Sequence, residues 1–162
     1  EYYDMMSDSI INTKGEVYQY IGDEVVITWD AKKGFENNNC IKCFKQIKET
    51  LSEKAQYFEA KYLIPDFKAG IHVGDVTTGE IGALKKEIVF TGDVLNTTAR
   101  IQGLCNTHQT DLIISDELLN GLQQSKQFRT NYIGEISLKG KNKLVKLHSV
   151  KVAPPDQFNL SN

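Results

Sequence analysis

Cysteine is scarce in this chain. Three occur among 162 residues, Cys40, Cys43 and Cys105, too few for a disulfide-stapled secreted scaffold. The odd number, with no secretory leader in view, suits a reducing cytosol and a cytoplasmic location. Cys40 and Cys43 form a C-x-x-C, but no second Cys or His pair completes a zinc set, and the motif sits inside a helical pattern. No apolar run reaches membrane-spanning length. Neither sign of charge dominates: 19 Lys and Arg stand against 21 Asp and Glu, a net charge of −2. That balance argues against a dedicated nucleic-acid surface. Walker A, G-x-S-x-G and H-E-x-x-H patterns are absent, and the chemistries they carry lose their support. Proline is rare too, three in all, and two of them fall in a polar C-terminal tail. The chain opens on Glu1 rather than Met, which reads as a piece of a longer protein.

What remains is an ordinary globular composition, 40% hydrophobic and 25% charged, long enough for one domain with a real core. Residues 5–13 read as the end of a helix that Gly15 breaks. Val17, Tyr20, Ile21 and then Val25, Val26, Ile27, Trp29 are β-branched and aromatic, and Gly22-Asp23 between them is a two-residue hairpin signal. Asn37-Asn38-Asn39 offers an N-cap to a helix on which Ile41, Phe44, Ile47, Leu51, Ala55, Phe58 and Tyr62 recur at three or four residues, and Pro65 stops it. Phe67, Ala69, Ile71 and Val73 alternate as a half-buried strand should. Gly74-Asp75 then reads as a turn, with residues 76–81 returning. A basic link leads into another strand-like piece ending at Phe90. Residues 93–105 read as a helix with Asp93 as its cap, 111–115 as a buried strand and 116–122 as a short helix. Residues 128–138 and 144–152 read as a closing hairpin. Mixed hairpins and helices favour an α+β sandwich, an antiparallel-rich sheet covered by helices, over a doubly wound fold. The expected domain is 1–152, with a loose tail over 153–162.

Some residues in this frame could carry chemistry. Asp23, on a tight turn at a sheet end, is placed to hold a metal, although Gly-Asp alone is equally a plain turn. With about 100° between successive helical residues, Asn96 and Arg100 share one face and Val94, Ile101 and Cys105 the other. The apolar face should pack on the sheet, leaving Asn96 and Arg100 to solvent or a partner. Lys139 and Lys141 flank Gly140 on the last hairpin loop, where a Lys can reach a phosphate as a point charge. His72 reads as a structural histidine.

Taken together, "YIGDEVVITW", "FKAGIHVGDVTTGEIG", "TGDVLNTTARI" and "LKGKNKLVKLHSV" resemble, in order and spacing, the class III nucleotidyl cyclase homology domain. The resemblance implies a ferredoxin-like α+β fold working as a head-to-tail homodimer with each site between two chains. It implies conversion of ATP, or alternatively GTP, to the 3′,5′-cyclic nucleotide and pyrophosphate with two Mg²⁺ or Mn²⁺ ions. By similarity Asp23 binds metal, Asn96 positions the ribose, Arg100 stabilises charge at the α-phosphate and Lys139 holds the terminal phosphates. Two positions depart from the pattern. Gln19 stands where the family carries its base-reading Lys, and Val89 at the paired base-reading position. The family's other metal Asp lies on a strand ahead of the hairpin; Asp4 and Asp8 sit in a helix instead, so the domain is expected to be N-terminally incomplete and, as it stands, a poor catalyst. Members of the family usually follow a sensor or membrane segment. Two rivals are a cyclase-like regulatory domain that binds nucleotide without turnover and the diguanylate cyclases, whose "GGDEF" hairpin differs here at Ile21 and Val25.

Overall fold

A computed structural model describes residues 2–57, 67–78, 83–88, 93–137 and 143–153. It is an α+β structure. Helix α1 (Tyr2–Asn12) leads into β1 (Glu16–Ile21) and β2 (Glu24–Asp30). A short α2 (Ala31–Phe35) and one 3₁₀ turn precede α3 (Asn39–Tyr57). Then come β3 (Ala69–Ile71), β4 (Gly74–Thr78), β5 (Ala83–Ile88), α4 (Asp93–Gly103), β6 (Leu112–Ser115), α5 (Asp116–Gly121), β7 (Phe128–Ser137) and β8 (Leu144–Val152). Asp4 and Asp8 do lie on the first helix.

The strands form two four-stranded sheets, β1-β2-β5-β4 and β3-β6-β8-β7. Among the described residues every pairing is antiparallel except β3 with β6. The expected return across Gly74-Asp75 is therefore corrected: both residues lie in β4, which pairs with β5, while β3 belongs to the other sheet. Local turn chemistry suggested a hairpin there, but Gly70 to Ile71 is already committed to a parallel ladder with Ile113 and Ile114.

One apolar cluster draws on both sheets: Met6 and Ile10 of α1, Trp29 of β2, Ile41, Phe44, Ile47 and Leu51 of α3, Ile71 of β3, and Leu112 and Ile114 of β6. The heptad-like spacing in α3 puts those four on one stripe, as a sheet-covering helix requires. Trp29 also donates its Nε1–H to the Thr13 carbonyl at 2.9 Å, fixing the end of α1 on the sheet. A second cluster lies on the opposite face of β6, where Ile101 of α4 and Cys105, two residues past its end, meet Ile113, Val145 and Leu147. So β6, buried at all four positions, is covered from both sides, which its unbroken apolar run anticipates.

The three asparagines ahead of α3 act differently from a capping acceptor. Asn37 and Asn38 take positive φ, 52° and 55°, closing the preceding 3₁₀ turn. Asn38 binds residue 123 like a second peptide, donating to the Gln123 carbonyl at 2.9 Å and accepting from its N–H at 2.8 Å. Asn39 is already helical and donates to the Lys33 carbonyl. The helix reaches at least Tyr57; Phe58, Tyr62 and Pro65 lie outside the described residues.

Candidate active site

The β1–β2 hairpin turns on Gly22-Asp23, with Ile21 opposite Glu24. Gly22 takes φ +59°, the conformation that this two-residue turn needs and glycine supplies without strain. Asp23 is exposed at its tip.

Gln19 owes its direction to an extra residue. Val17 pairs with Ile27, but Gln19 pairs with Val26, so Tyr18 is a bulge. Val25, Ile27 and Trp29 are the β2 residues that pack on the helical cluster. Without the bulge Gln19 would stand opposite Val25 and share that face. With it, Gln19 joins Val26 on the side turned away from α1 and α3, since a one-residue change in register exchanges the faces of a strand.

Helix α4 supplies the other residues. Its seat on β3 is close: a Cβ at Gly70 would lie 2.6 Å from the Gln102 backbone nitrogen. Ile101 is fully buried, as are Thr97 and Thr98, and the Thr98 hydroxyl folds back to the Val94 carbonyl at 2.8 Å. Asn96 and Arg100 are exposed on the outer face, as the helical spacing requires. Arg100 donates through Nη1 to the Ser137 carbonyl. That bond ties α4 to the last residue of β7, two positions before Lys139. Lys139 itself and Val89 lie outside the described residues.

Thus the structure joins Gln19 with Asp23 on one hairpin and Arg100 with the end of β7. Among the described residues, no hydrogen bond or ion pair connects Asp23 with Asn96 or Arg100. The Ser137 carbonyl was invisible to sequence reasoning because a backbone acceptor has no residue signature. A glycine inside the strand, Gly134, was the available hint of irregular backbone there.

A carboxylate oxygen is a hard donor suited to Mg²⁺ or Mn²⁺. Among the described residues there is no group of three or more His, Cys, Asp or Glu able to hold a metal. Magnesium is commonly held by one or two carboxylates plus substrate phosphates rather than by an all-protein cage. A single exposed Asp on a turn fits an ion that arrives with a polyphosphate.

The remaining polar groups are structural. His72 Nδ1 lies 2.7 Å from Ser115 Oγ, and that hydroxyl also accepts from the Leu118 N–H to cap α5. Burial lowers the His72 pKa, with Glu117 opposing and Lys143 adding to the shift. The cysteines are buried thiols: desolvation pushes Cys40 up to about 12, and Cys43 and Cys105 up to about 11. None carries thiolate at neutral pH. Among the described residues, no helix is long and apolar enough to cross a membrane.

Comparison with known proteins gives a consistent picture. Residues 1–151 match the family described as the adenylate and guanylate cyclase catalytic domain. Adenylate cyclase 2 of Rhizobium meliloti (strain 1021) is 34% identical over 137 residues, covering 84% of this chain and 38% of that protein. Adenylate cyclase of Anabaena cylindrica is 23% identical over 159 residues, covering 93% of this chain and 31% of its own length. The chain therefore spans less than half of these relatives. Among solved structures, a bacterial light-regulated adenylyl cyclase superposes with TM-score 0.69 at 18% identity, over 93% of this chain and 42% of that one. A guanylyl cyclase superposes with TM-score 0.66 at 19% identity, over 95% and 79%. These two establish the fold.

Proposed function

The chain belongs to the adenylate and guanylate cyclase catalytic domain family, and on that premise we propose that it converts ATP to 3′,5′-cyclic AMP and pyrophosphate. The observation that carries this reading is the outward face of α4, where exposed Asn96 and Arg100 stand together and Arg100 meets Ser137, the last residue of β7. Asn96 orients the ribose through its amide, which can both donate and accept. Arg100 presents a planar fork of N–H donors to the α-phosphate oxygens, where negative charge grows as the 3′-oxygen attacks. Lys139 holds the terminal phosphates as a point charge. Gln19, exposed on its hairpin, reads the base through an amide, with Val89 as the paired base-reading position. Asp23 would hold a divalent ion, which would supply Lewis-acid activation of the 3′-hydroxyl and offset phosphate charge.

A head-to-tail homodimer supports the division of these groups. Gln19 and Asp23 form one exposed set and Asn96 and Arg100 another, with no bond between them among the described residues. Two copies would bring one set of each to a shared nucleotide. ATP is chosen because the named relatives are adenylate cyclases. Gln19 and Val89 keep GTP as the second reading, since neither is the family's usual base-reading residue.

The test is the full-length protein carrying this domain, incubated with Mn²⁺ and either ATP or GTP, with the cyclic nucleotide quantified. Cyclic AMP is expected. Cyclic GMP alone would replace the base assignment. Nucleotide binding by a folded dimer without either product would make this a nucleotide-binding regulatory domain.

A further inference from the structure

Ile133 and Ile136 both pack against the α4 cluster although they stand three residues apart on one strand. A regular strand cannot do this, because its side chains alternate between faces. The register explains it. Pairs run regularly to Tyr132 opposite His148, and then Gly134 stands opposite Leu147, so Ile133 is an extra residue. Gly134 carries φ +127°, a conformation that side chains rarely adopt. A Cβ there would meet nothing within 4 Å. Glycine is thus required by the backbone and not by crowding.

The bulge sets the facing of every later residue in β7. Beyond Gly134 the pairs are Glu135 with Lys146, Ile136 with Val145 and Ser137 with Leu144. Without the extra residue Ser137 would stand opposite Lys143, and every side chain from 133 onward would exchange faces. The carbonyl that receives Arg100 Nη1 would turn with them. We propose that Gly134 is a positioning residue for the group that handles the reacting phosphate: its bulge aims the Ser137 carbonyl at Arg100. The ligand class is the polyphosphate of a nucleoside triphosphate, and the inference rests on the role proposed above for Arg100.

The experiment is a double-mutant cycle in the full-length protein with Gly134→Ala, Arg100→Ala and the double variant, reading kcat/KM and, separately, the affinity for inorganic tripolyphosphate. Arg100→Ala should cost about 10²–10³ in turnover. Gly134→Ala should cost about tenfold, and the double variant no more than about twice the Arg100→Ala loss, because residues acting through one another are not additive. Should Gly134→Ala fail to fold, deletion of Ile133, the extra residue of the bulge, takes its place. Losses that multiply independently would overturn the proposal, as would tripolyphosphate affinity unchanged by Gly134→Ala. If the unsubstituted protein forms no cyclic product yet binds tripolyphosphate, and Gly134→Ala weakens that binding, the cyclase reading falls and the positioning role stands.

Discussion

Strands β1 and β6 are both short and apolar, and they meet opposite fates. Leu112, Ile113 and Ile114 of β6 are each 0% exposed, between α3 on one side and α4 on the other. Val17, Tyr18, Tyr20 and Ile21 of β1 are 38–51% exposed, and no position of the strand is buried. Composition separates them in part: β6 is Leu-Ile-Ile-Ser, whereas β1 also carries Glu16, Gln19 and two tyrosines. Position matters as well: β6 lies inside its sheet with a neighbour on each side, while among the described residues β1 is an edge strand paired with β2 alone. The wrapped region holds the fold together. The bare region carries Gln19 and Asp23, and exposed apolar edges of this kind ordinarily mark a surface kept for a partner.

The sharpest way to break the comparison is Leu112→Ala. The side chain is fully buried and sits between close-packed neighbours, so its loss should cost about 2–5 kcal/mol through transfer and cavity terms. The check is a urea unfolding midpoint with the slope unchanged. Activity per folded molecule should stay near that of the unsubstituted protein. A cost under about 1 kcal/mol, the scale of a surface change, would mean that β6 is not the wrapped strand described here.

A smaller effect lies on the rim of the wrapped sheet. His72 pairs with Ser115 at the ends of β3 and β6, faced by Glu117 of α5 and by Lys143 ahead of β8. Burial is the main cause that lowers its pKa. The folded state therefore holds the neutral ring in preference to the charged one. A histidine so depressed contributes stability that is complete above its unfolded value, about 6.5. That contribution is lost as pH falls from there through the folded value, because the unfolded chain then binds the extra proton. Unfolding midpoints at pH 8 and pH 5.5 should differ more for the unsubstituted protein than for His72→Gln. Equal differences would remove His72 as the source.

How much of this could be read from the chain obeys the same division. Local signals served well: the spacing in α3, the unbroken apolar run of β6, the Gly22-Asp23 turn and the outward placement of Asn96 and Arg100. Non-local pairing did not. Nothing near Gly74 says that β4 will choose β5, or that β3 will run parallel to β6, because those partners are distant in sequence. The bulges at Tyr18 and Ile133 were hidden for a related reason: register is a property of two strands at once. Only Gly134 left a trace, as a glycine within a strand. The outward placement of Arg100 followed from its helical spacing, but its Ser137 partner is a carbonyl 37 residues away.

The smallest expected effect is the most exacting test of the contrast. Tyr18 is the extra residue of the β1 bulge and is 51% exposed, so Tyr18→Ser removes a large apolar side chain that the wrapped core never enlisted. Monomer stability should change by no more than about 0.5 kcal/mol, the range for surface positions without special roles, although the number of atoms deleted exceeds that in Leu112→Ala. The bulge itself should persist, because it comes from one extra residue in the backbone and not from the ring. Urea midpoints at low protein concentration would check this, where association adds nothing to apparent stability. A loss above about 1 kcal/mol there would mean that the hairpin is packed within its own chain, and the distinction between a wrapped and a bare sheet would fail.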